Sequence, residues 1–552
     1  MLSKVEHVKL ESHYLRGTLQ SELENQEDHF IDSSELLLKF HGIYQQSDRD
    51  LRKIRKAQGL GALHSFMIRV AIAGGVLTRE QYLLLDQISD QLANSTLRIT
   101  TRQAIQYHGV LKGGLKPLLK TLQAHNLTSL SACGDVVRNI VACPAPFKSA
   151  ARDQIMAHAL SLSDNLKPRA RAYFEIWLDG EKAASIEEEE PLYKESYLPR
   201  KFKIAFAFPN DNCVDVYTQD VGIVPVLTGE VLTGFTLIVG GGLGQSHTVK
   251  DTHPRLGDPM TTIAPEQLLE TIKAIVAVQR DFGRRDDRKY SRMKYLVEAL
   301  GIAGFKQKVE AVLGVSLPAP QPLEWLSGDD HLGWHEQGDG NLFLGLFIEN
   351  GRIKDQARVG LRRAVEQFVP EVRLTPQQNM LLCHIQPQHK AALEALLSAH
   401  GIALPEAIAP VVRHSMACPA FPTCGLAITE AERALPELIR EVQTLLEQYD
   451  LESDTLAPHI RMTGCPNGCA RPYSAEVGLV GRGVNSYALY LGGSHLGTRL
   501  SQVFLDNIKR EEMIPTLDPL FKHFKTNRLE HERFGDYCHR AGLEQLRLLV
   551  RQ

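Results

Sequence analysis

Four cysteines stand in two local pairs: Cys418 and Cys424 in MACPAFPTCG, then Cys465 and Cys469 in TGCPNGCARP. Thiolates hold borderline and soft metals, and two such pairs, 41 positions apart, can converge on one centre. From spacing alone a [4Fe–4S] cube, a structural zinc and unrelated core thiols all stay open. Zinc knuckles favour about two to four intervening residues, which suits C-x3-C and not C-x5-C, whereas a cube takes thiolates at wider corners. The prolines and glycines in both stretches let the backbone fold back around such a group.

A second set of residues is basic. In LPRKFKIAFAFP, Lys201 and Lys203 alternate with Phe202 and Ile204, so a strand places both ammonium groups on one face; a merely exposed strand face is the plain alternative. Arg69 lies inside the apolar run FMIRVAIAGG, and Arg138 opens a VR motif. From Arg98 to His108 the alternation predicts a half-buried strand with Arg98, Thr100, Arg102, Gln106 and His108 on its polar face. Lys+Arg of 62 against Asp+Glu of 65 leaves a net charge of -3, which gives no global basic excess for nucleic acid. Local positive charge in a balanced chain points instead to an anionic ligand carrying several carboxylates.

The elements that must position these residues are written twice. Leu97-Arg98-Ile99-Thr100 with Gln103 recurs as Val372-Arg373-Leu374-Thr375 with Gln378, a shift of 275; VRNIVACPA from Val137 recurs as VRHSMACPA from Val412 at the same shift. FTLIVGGGLG from Phe235 is echoed by YALYLGGSHLG from Tyr487, each a strand ending in a glycine turn. The repeat predicts an α+β fold of two pseudo-twofold ferredoxin-like halves, each followed by a larger α/β module, with a ligand cleft between the halves. The expected units are an N-terminal extension over 1–60, a first half over 61–130, its module over 131–322, a second half over 323–405 and its module over 406–552. Cys143 stands where Cys418 stands in the repeat, but Ser149 replaces Cys424, so the four-thiolate site belongs to the second copy alone. Cys133, Cys143, Cys213, Cys383 and Cys538 read as buried structural thiols.

Other signals are plainer. The stretch from Leu435 to Tyr449 carries apolar residues at helical spacing, with Pro436 in the first turn, and predicts a core-packed helix. DRDLRKIRK predicts a solvated face. VGGGLG has no glycine at the third fingerprint position and is a poor dinucleotide loop. No apolar run is long enough for a membrane span and MLSKVEHVKLESHY contains no apolar h-region, so a cytoplasmic protein with reduced thiols is expected.

The cysteine motifs, the duplication, FMIRVAIAGGVLT, TLRITTRQAIQYHG and LPRKFK together resemble the sirohaem and [4Fe–4S] sulfite and nitrite reductases. The resemblance runs from about SHYLRG to HFKTNRLEHERFGDYCHRAG. It implies that Cys418, Cys424, Cys465 and Cys469 ligate the cluster, with Cys469 bridging to the sirohaem iron. It implies that Arg69, Arg138, Lys201 and Lys203 surround bound sulfite, and that Arg98, Arg102, Gln106, His108 and Asn467 contact the macrocycle. The implied reaction is the six-electron reduction of sulfite to sulfide in sulfate assimilation and cysteine biosynthesis. Reduction of nitrite to ammonia on the same scaffold is the alternative. LLKFHGIYQQSDRDLR resembles the NADPH-dependent type, fed by a separate FAD- and FMN-containing flavoprotein subunit, while CARPY also resembles ferredoxin-dependent members.

Overall fold

Duplication is visible strand by strand in the computed structural model, which describes residues 2–179, 190–247, 249 and 251–550. The first half carries β1 (Ile43–Ser47), β2 (His64–Val70), β3 (Val76–Thr78), β4 (Leu97–Ile99) and β5 (Ile105–Val110). Its module carries β6 (Val141–Ala142), β7 (Ile204–Phe206), β8 (Asn210–Asp211), β9 (Val221–Thr228), β10 (Val231–Val239) and β11 (Asp258–Ile263). After β12 (Trp325–Ser327) the second half repeats the pattern as β13 (Gly333–Glu336), β14 (Leu342–Leu346), β15 (Arg352–Ile353), β16 (Glu371–Leu374) and β17 (Met380–Ile385). Its module follows as β18 (Ser415–Ala417), β19 (Ile460–Thr463), β20 (Val477–Gly483), β21 (Ser486–Leu491) and β22 (Gln502–Lys509).

The halves are joined by exchange. The first sheet runs β1-β2-β5-β4-β15 and the second β13-β14-β17-β16-β3, so each half donates one short strand to the edge of the other's sheet. Glycine makes the exchange possible. Gly75 and Gly351, at φ +74° and +72°, bring the chain so close that a Cβ would lie 2.5 Å from the Leu374 carbonyl oxygen and 2.4 Å from that of Ile99. Leu374 and Ile99 are themselves equivalent in the repeat. The module sheets, β11-β10-β9-β7-β6 and β18-β19-β20-β21-β22, also match: three parallel strands continue into an antiparallel pair.

Two expectations change. Residues 1–60 do not stand outside the first half, because β1 pairs with β2 and Leu15, Leu19, Phe30, Leu37, Leu38 and Phe40 enter the main core. The stretch from Arg98 to His108 is a tight hairpin and not one strand: Thr100 N–H donates to Ala104 O at 2.9 Å, and Gln103 turns the chain at φ 49°. The predicted C-terminal helix forms over Leu435–Gln448 with Pro436 in its first turn, burying Leu435, Leu438, Ile439, Val442, Leu445 and Leu446. Among the described residues no helix is long and apolar enough to cross a membrane.

Candidate functional site

The four cysteines meet because β18 and β19 are adjacent parallel strands. Loops leaving the carboxyl ends of neighbouring parallel strands emerge side by side, which is where open α/β sheets build sites. Register pairs Ala417 with Met462, so Cys418 leaves β18 beside the turn that carries Cys465 and Cys469. Cys418 N–H donates to Met462 O at 3.2 Å, and the Gly464 N–H points back at Cys418 Sγ at 3.4 Å. Asn467 Nδ2 donates to Cys465 Sγ at 3.5 Å. Cys418 and Cys465 are buried, Cys424 is half-buried and Cys469 is exposed.

Burial and the neighbouring Cys469 push the Cys418 and Cys424 thiols up, and Cys465 to about 12. Three buried thiols this reluctant to ionise, gathered around Cys469, need a cationic core to be held as thiolates. The size of that core follows from their separation. A single tetrahedral zinc draws its sulfurs to about 3.8 Å from one another. The described donor groups that close to within 4.8 Å lie elsewhere, at Cys143/Asp211/Cys213/His331 and Asp28/His29/His64. The donor set therefore fits a cluster with wide corners better than one small ion. Arg49 braces it: Nη1 donates to Cys424 O at 3.2 Å and Ala427 O at 2.6 Å, and the guanidinium lies 4.5 Å from the Phe421 ring centre. DRDLRKIRK is thus only partly a solvated face.

The basic residues are drawn together by strand register. Arg69 pairs with Gln106, Gln106 with Arg98, and Arg98 with Arg352, which forms one polar row across β2, β5, β4 and β15. With its amide turned to suit both groups, Gln106 Oε1 accepts from Arg69 Nη2 at 2.6 Å and Nε at 3.2 Å. Arg69 Nη1 donates to Cys133 Sγ at 2.9 Å, and its guanidinium lies 5.9 Å from the Tyr44 ring centre. Arg98 is bound within the protein, donating to Glu432 at 3.1 Å and to the Ala417 carbonyl at 2.9 Å, so it ties the first sheet to the residue preceding Cys418. His108 is buried with neither ring nitrogen hydrogen-bonded; burial and the Arg352, Arg98 and Arg69 charges hold it well below its ordinary value, hence neutral.

Lys201, Lys203 and Arg102 line one cavity with Arg292, Asn467 and Cys469. The lysines point into it because Phe202 and Ile204, on the opposite face, are fully buried. The backbone locks this register: Phe202 N–H donates to Val136 O at 3.0 Å, Arg138 N–H to Phe202 O at 2.9 Å, and Lys203 N–H to Asp220 Oδ2 at 2.9 Å. Arg102 spends Nη1 on Gln219 Oε1 at 2.9 Å and Nη2 on the Asn139 and Ile204 carbonyls at 2.5 and 3.0 Å, while its buried Nε finds no partner. Arg292 pairs with Asp220 at 2.8 Å. Burial first, then Arg102 and Arg292, pull Lys203 down to about 7; burial, Lys203 and Arg200 hold Lys201 well below the ordinary lysine value. Both ammonium groups are half-exposed to the cavity yet enclosed by its walls, and enclosure among cations is what matters for protonation. Arg138, whose Nε donates to Gly134 O at 3.1 Å, adds to the same positive field.

Cavity and cysteine loop are one structure. Thr101 Oγ1 donates to Cys469 O at 3.1 Å and Gln245 N–H to Pro466 O at 2.9 Å. VGGGLG serves this docking: a Cβ on Gly241 would fall 2.1 Å from Tyr217 O, and Gly244 lies against the Asn467 carbonyl. An anionic group with several carboxylates fits the surplus charge, the orphaned Arg102 Nε and the unpartnered His108. Sequence reasoning brought together Arg102, Lys201, Lys203, Asn467 and the cysteines; it missed Asp220 and Arg292, which lie in no motif, and gave no role to Tyr44 and Arg49, although both lie in stretches it singled out.

Comparison with known proteins gives the same organisation. The profile described as nitrite and sulphite reductase 4Fe-4S domain matches residues 159–317 and 409–552, and that described as nitrite/sulfite reductase ferredoxin-like half domain matches 61–125 and 335–400. A sulfite reductase [ferredoxin] of Synechococcus elongatus is 44% identical, over 99% of this chain and 90% of that protein. A sulfite reductase [NADPH] hemoprotein beta-component of Staphylococcus haemolyticus is 42% identical over 98% and 95%. The solved structure of the Mycobacterium tuberculosis NirA protein shares the fold, with a TM-score of 0.81 at 24% identity, covering 99% of this chain and 98% of the other.

Proposed function

The chain belongs to the nitrite and sulphite reductase family, and from that premise we propose that it is the haemoprotein of an assimilatory sulfite reductase, reducing sulfite to sulfide. The balanced reaction consumes six electrons and six protons per hydrogen sulfite and releases three waters. Members of this family hold a [4Fe–4S] cluster and sirohaem; here Cys418, Cys424, Cys465 and Cys469 would hold the cluster, with Cys469 also reaching the haem. Arg102, Gln106, His108 and Asn467 would hold the macrocycle and its carboxylates, and Arg98 would fix the sheet against the cluster strand. When bound, the two groups supply the electrons and the open iron position at which sulfur is reduced.

The protein's own part is charge and protons. Arg69 and Arg138 supply guanidinium groups that bind oxyanion oxygens. Lys203, poised at about 7, can hold a proton and give it up near neutrality, the condition a general acid needs. Lys201 is also held well below the ordinary lysine value, and an anion beside it favours its charged form, so binding of sulfite would help load the proton. The observation that carries the reading is the opening of this lysine cavity onto Cys469.

As donor we propose an NADPH-oxidising flavoprotein subunit with FAD and FMN, in keeping with relatives named as the NADPH-dependent beta-component. A ferredoxin donor is the second reading, favoured by the similarity to the Synechococcus enzyme. Purified holoenzyme should show haem absorption that shifts on adding sulfite, with acid-labile sulfide. Lys203→Ala should keep both spectra and lower kcat at least tenfold; unchanged turnover removes Lys203 from the mechanism. A kcat/KM larger for nitrite than for sulfite with a chemical reductant overturns the substrate, and faster turnover with reduced ferredoxin than with the flavoprotein overturns the donor.

A further inference from the structure

Cys143, the repeat equivalent of Cys418, does not lie alone. Although Ser149 replaces the second cysteine of the motif, Asp211, Cys213 and His331 close on Cys143 so that one donor atom from each lies within 4.8 Å of the others. Cys143 Sγ is 3.5 Å from Asp211 Oδ2 and 3.9 Å from His331 Nε2, and these last two are 3.1 Å apart. A tetrahedron of zinc-ligand bonds has edges of about 3.6 Å for S···O, ~3.6 Å for S···N and ~3.4 Å for N···O. The three separations fall within about 0.4 Å of those edges, although the four residues come from three segments far apart in sequence. The expectation that Cys143 and Cys213 are merely structural thiols is therefore revised.

Surroundings match a cation site. Asp211 and Cys213 are buried, Cys143 and His331 half-buried, and both cysteines are free thiols. Arg152 Nη1, 3.6 Å from Cys143 Sγ, offsets the surplus negative charge of two thiolates and a carboxylate around a dication. Phe147 packs edge-on against the His331 ring with centres 5.9 Å apart, which fixes the imidazole plane. A cavity of about 210 Å³, bounded by Cys143, Phe147 and Arg152, gives an entry path.

We propose that Cys143, Asp211, Cys213 and His331 form a structural zinc site. Four protein donors leave no open position, so the ion acts as a clip and not as a catalyst. It fastens the segment after β6 and the end of β8 to the chain between β12 and β13, joining the first module to the start of the second half. None of the four residues belongs to the sulfite site, and the inference stands whatever the substrate or donor.

The test is metal analysis of holoenzyme with full acid-labile sulfide, exposed to stoichiometric Zn²⁺ and desalted, so that the cluster cysteines are occupied. Expected is about one zinc per chain, falling at least fivefold in Cys213→Ser and, independently, in His331→Ala. Haem and cluster spectra should be unchanged, and the zinc-dependent rise in melting temperature should vanish in both variants. His29→Ala, in the Asp28/His29/His64 group, whose carboxylate is exposed and whose histidines are half-buried, should leave the stoichiometry as it is. Zinc below one-tenth per chain in the wild type, or zinc retained in Cys213→Ser, overturns the proposal. So does an extra iron that Cys213→Ser removes, or a Cys143–Cys213 disulfide blocking alkylation of both thiols in reductant-treated enzyme.

Discussion

Asp220 is the buried carboxylate that pairs with Arg292 beside the cation-lined cavity, and replacing it with asparagine separates its two effects. It is fully buried, accepts the Lys203 backbone N–H at 2.9 Å and pairs with Arg292 at 2.8 Å. Removing one partner of a buried ion pair costs ~3–5 kcal/mol, and asparagine retains an acceptor, so about 2–3 kcal/mol is expected. At ~2–4 °C per kcal/mol that is a melting temperature lower by roughly 5–10 °C. The second effect is on protonation. Lys203 is depressed from 10.5 to about 7 by burial, Arg102 and Arg292, and Asp220 opposes that depression. Two unit charges about 6 Å apart at an effective dielectric of ~20 interact by about 2–3 kcal/mol, and a comparable separation here would be worth ~1–2 pK units after screening. Asp220→Asn should therefore move the Lys203 midpoint downward, leaving it neutral at pH 7, where the wild type is half charged. Bound anion raises both midpoints, so their separation is the observable. In kcat/KM for sulfite against pH, with a reduced viologen dye as donor, the falling limb should move one to two units toward acid. The rate at pH 7 should drop about five- to fiftyfold and recover below the shifted midpoint. Sulfite's own titration cancels in the ratio of the two profiles. Profiles of identical shape, differing only in height, refute a protonation role for the Asp220–Lys203 pair and leave Asp220 as a purely structural anion.

Further outcomes follow from the cysteine loop. Arg49→Ala removes two hydrogen bonds from a charged donor to the Cys424 and Ala427 carbonyls, a loss of ~1–3 kcal/mol to the loop. Bleaching of the cluster absorption by an iron chelator should be at least fivefold faster, and an unchanged rate would mean that the loop stands without this brace. Cys469→Ser should abolish both the cluster absorption and sulfite turnover in a chain that still melts cooperatively; intact cluster and turnover would remove Cys469 from the ligand set.

What could be read beforehand was what the duplication preserved or what lay close in sequence. The four cysteines are two local motifs, and the repeat told which half keeps them. Lys201 and Lys203 were legible because period-two alternation survives even where the regular strand begins only at Ile204. The Arg98–His108 alternation misled about the strand but not about the face. A hairpin that pairs Arg98 with Gln106 returns both side chains to the same side of the sheet that a straight strand would have given them. The N-terminal segment was misplaced because its buried residues are sparse among charges, and only pairing of β1 with β2 reveals that it belongs to the sheet. Arg292 and Asp220, 72 positions apart, show no local pattern, since a buried ion pair between separate segments leaves no periodicity. Cys143 is the sharpest case. Register with Cys418 gave it no four-cysteine motif, and its actual neighbours Asp211, Cys213 and His331 come from segments with no echo in the repeat. A duplicated sequence thus exposes the site that one copy retained, and conceals whatever the other copy assembled after the two diverged.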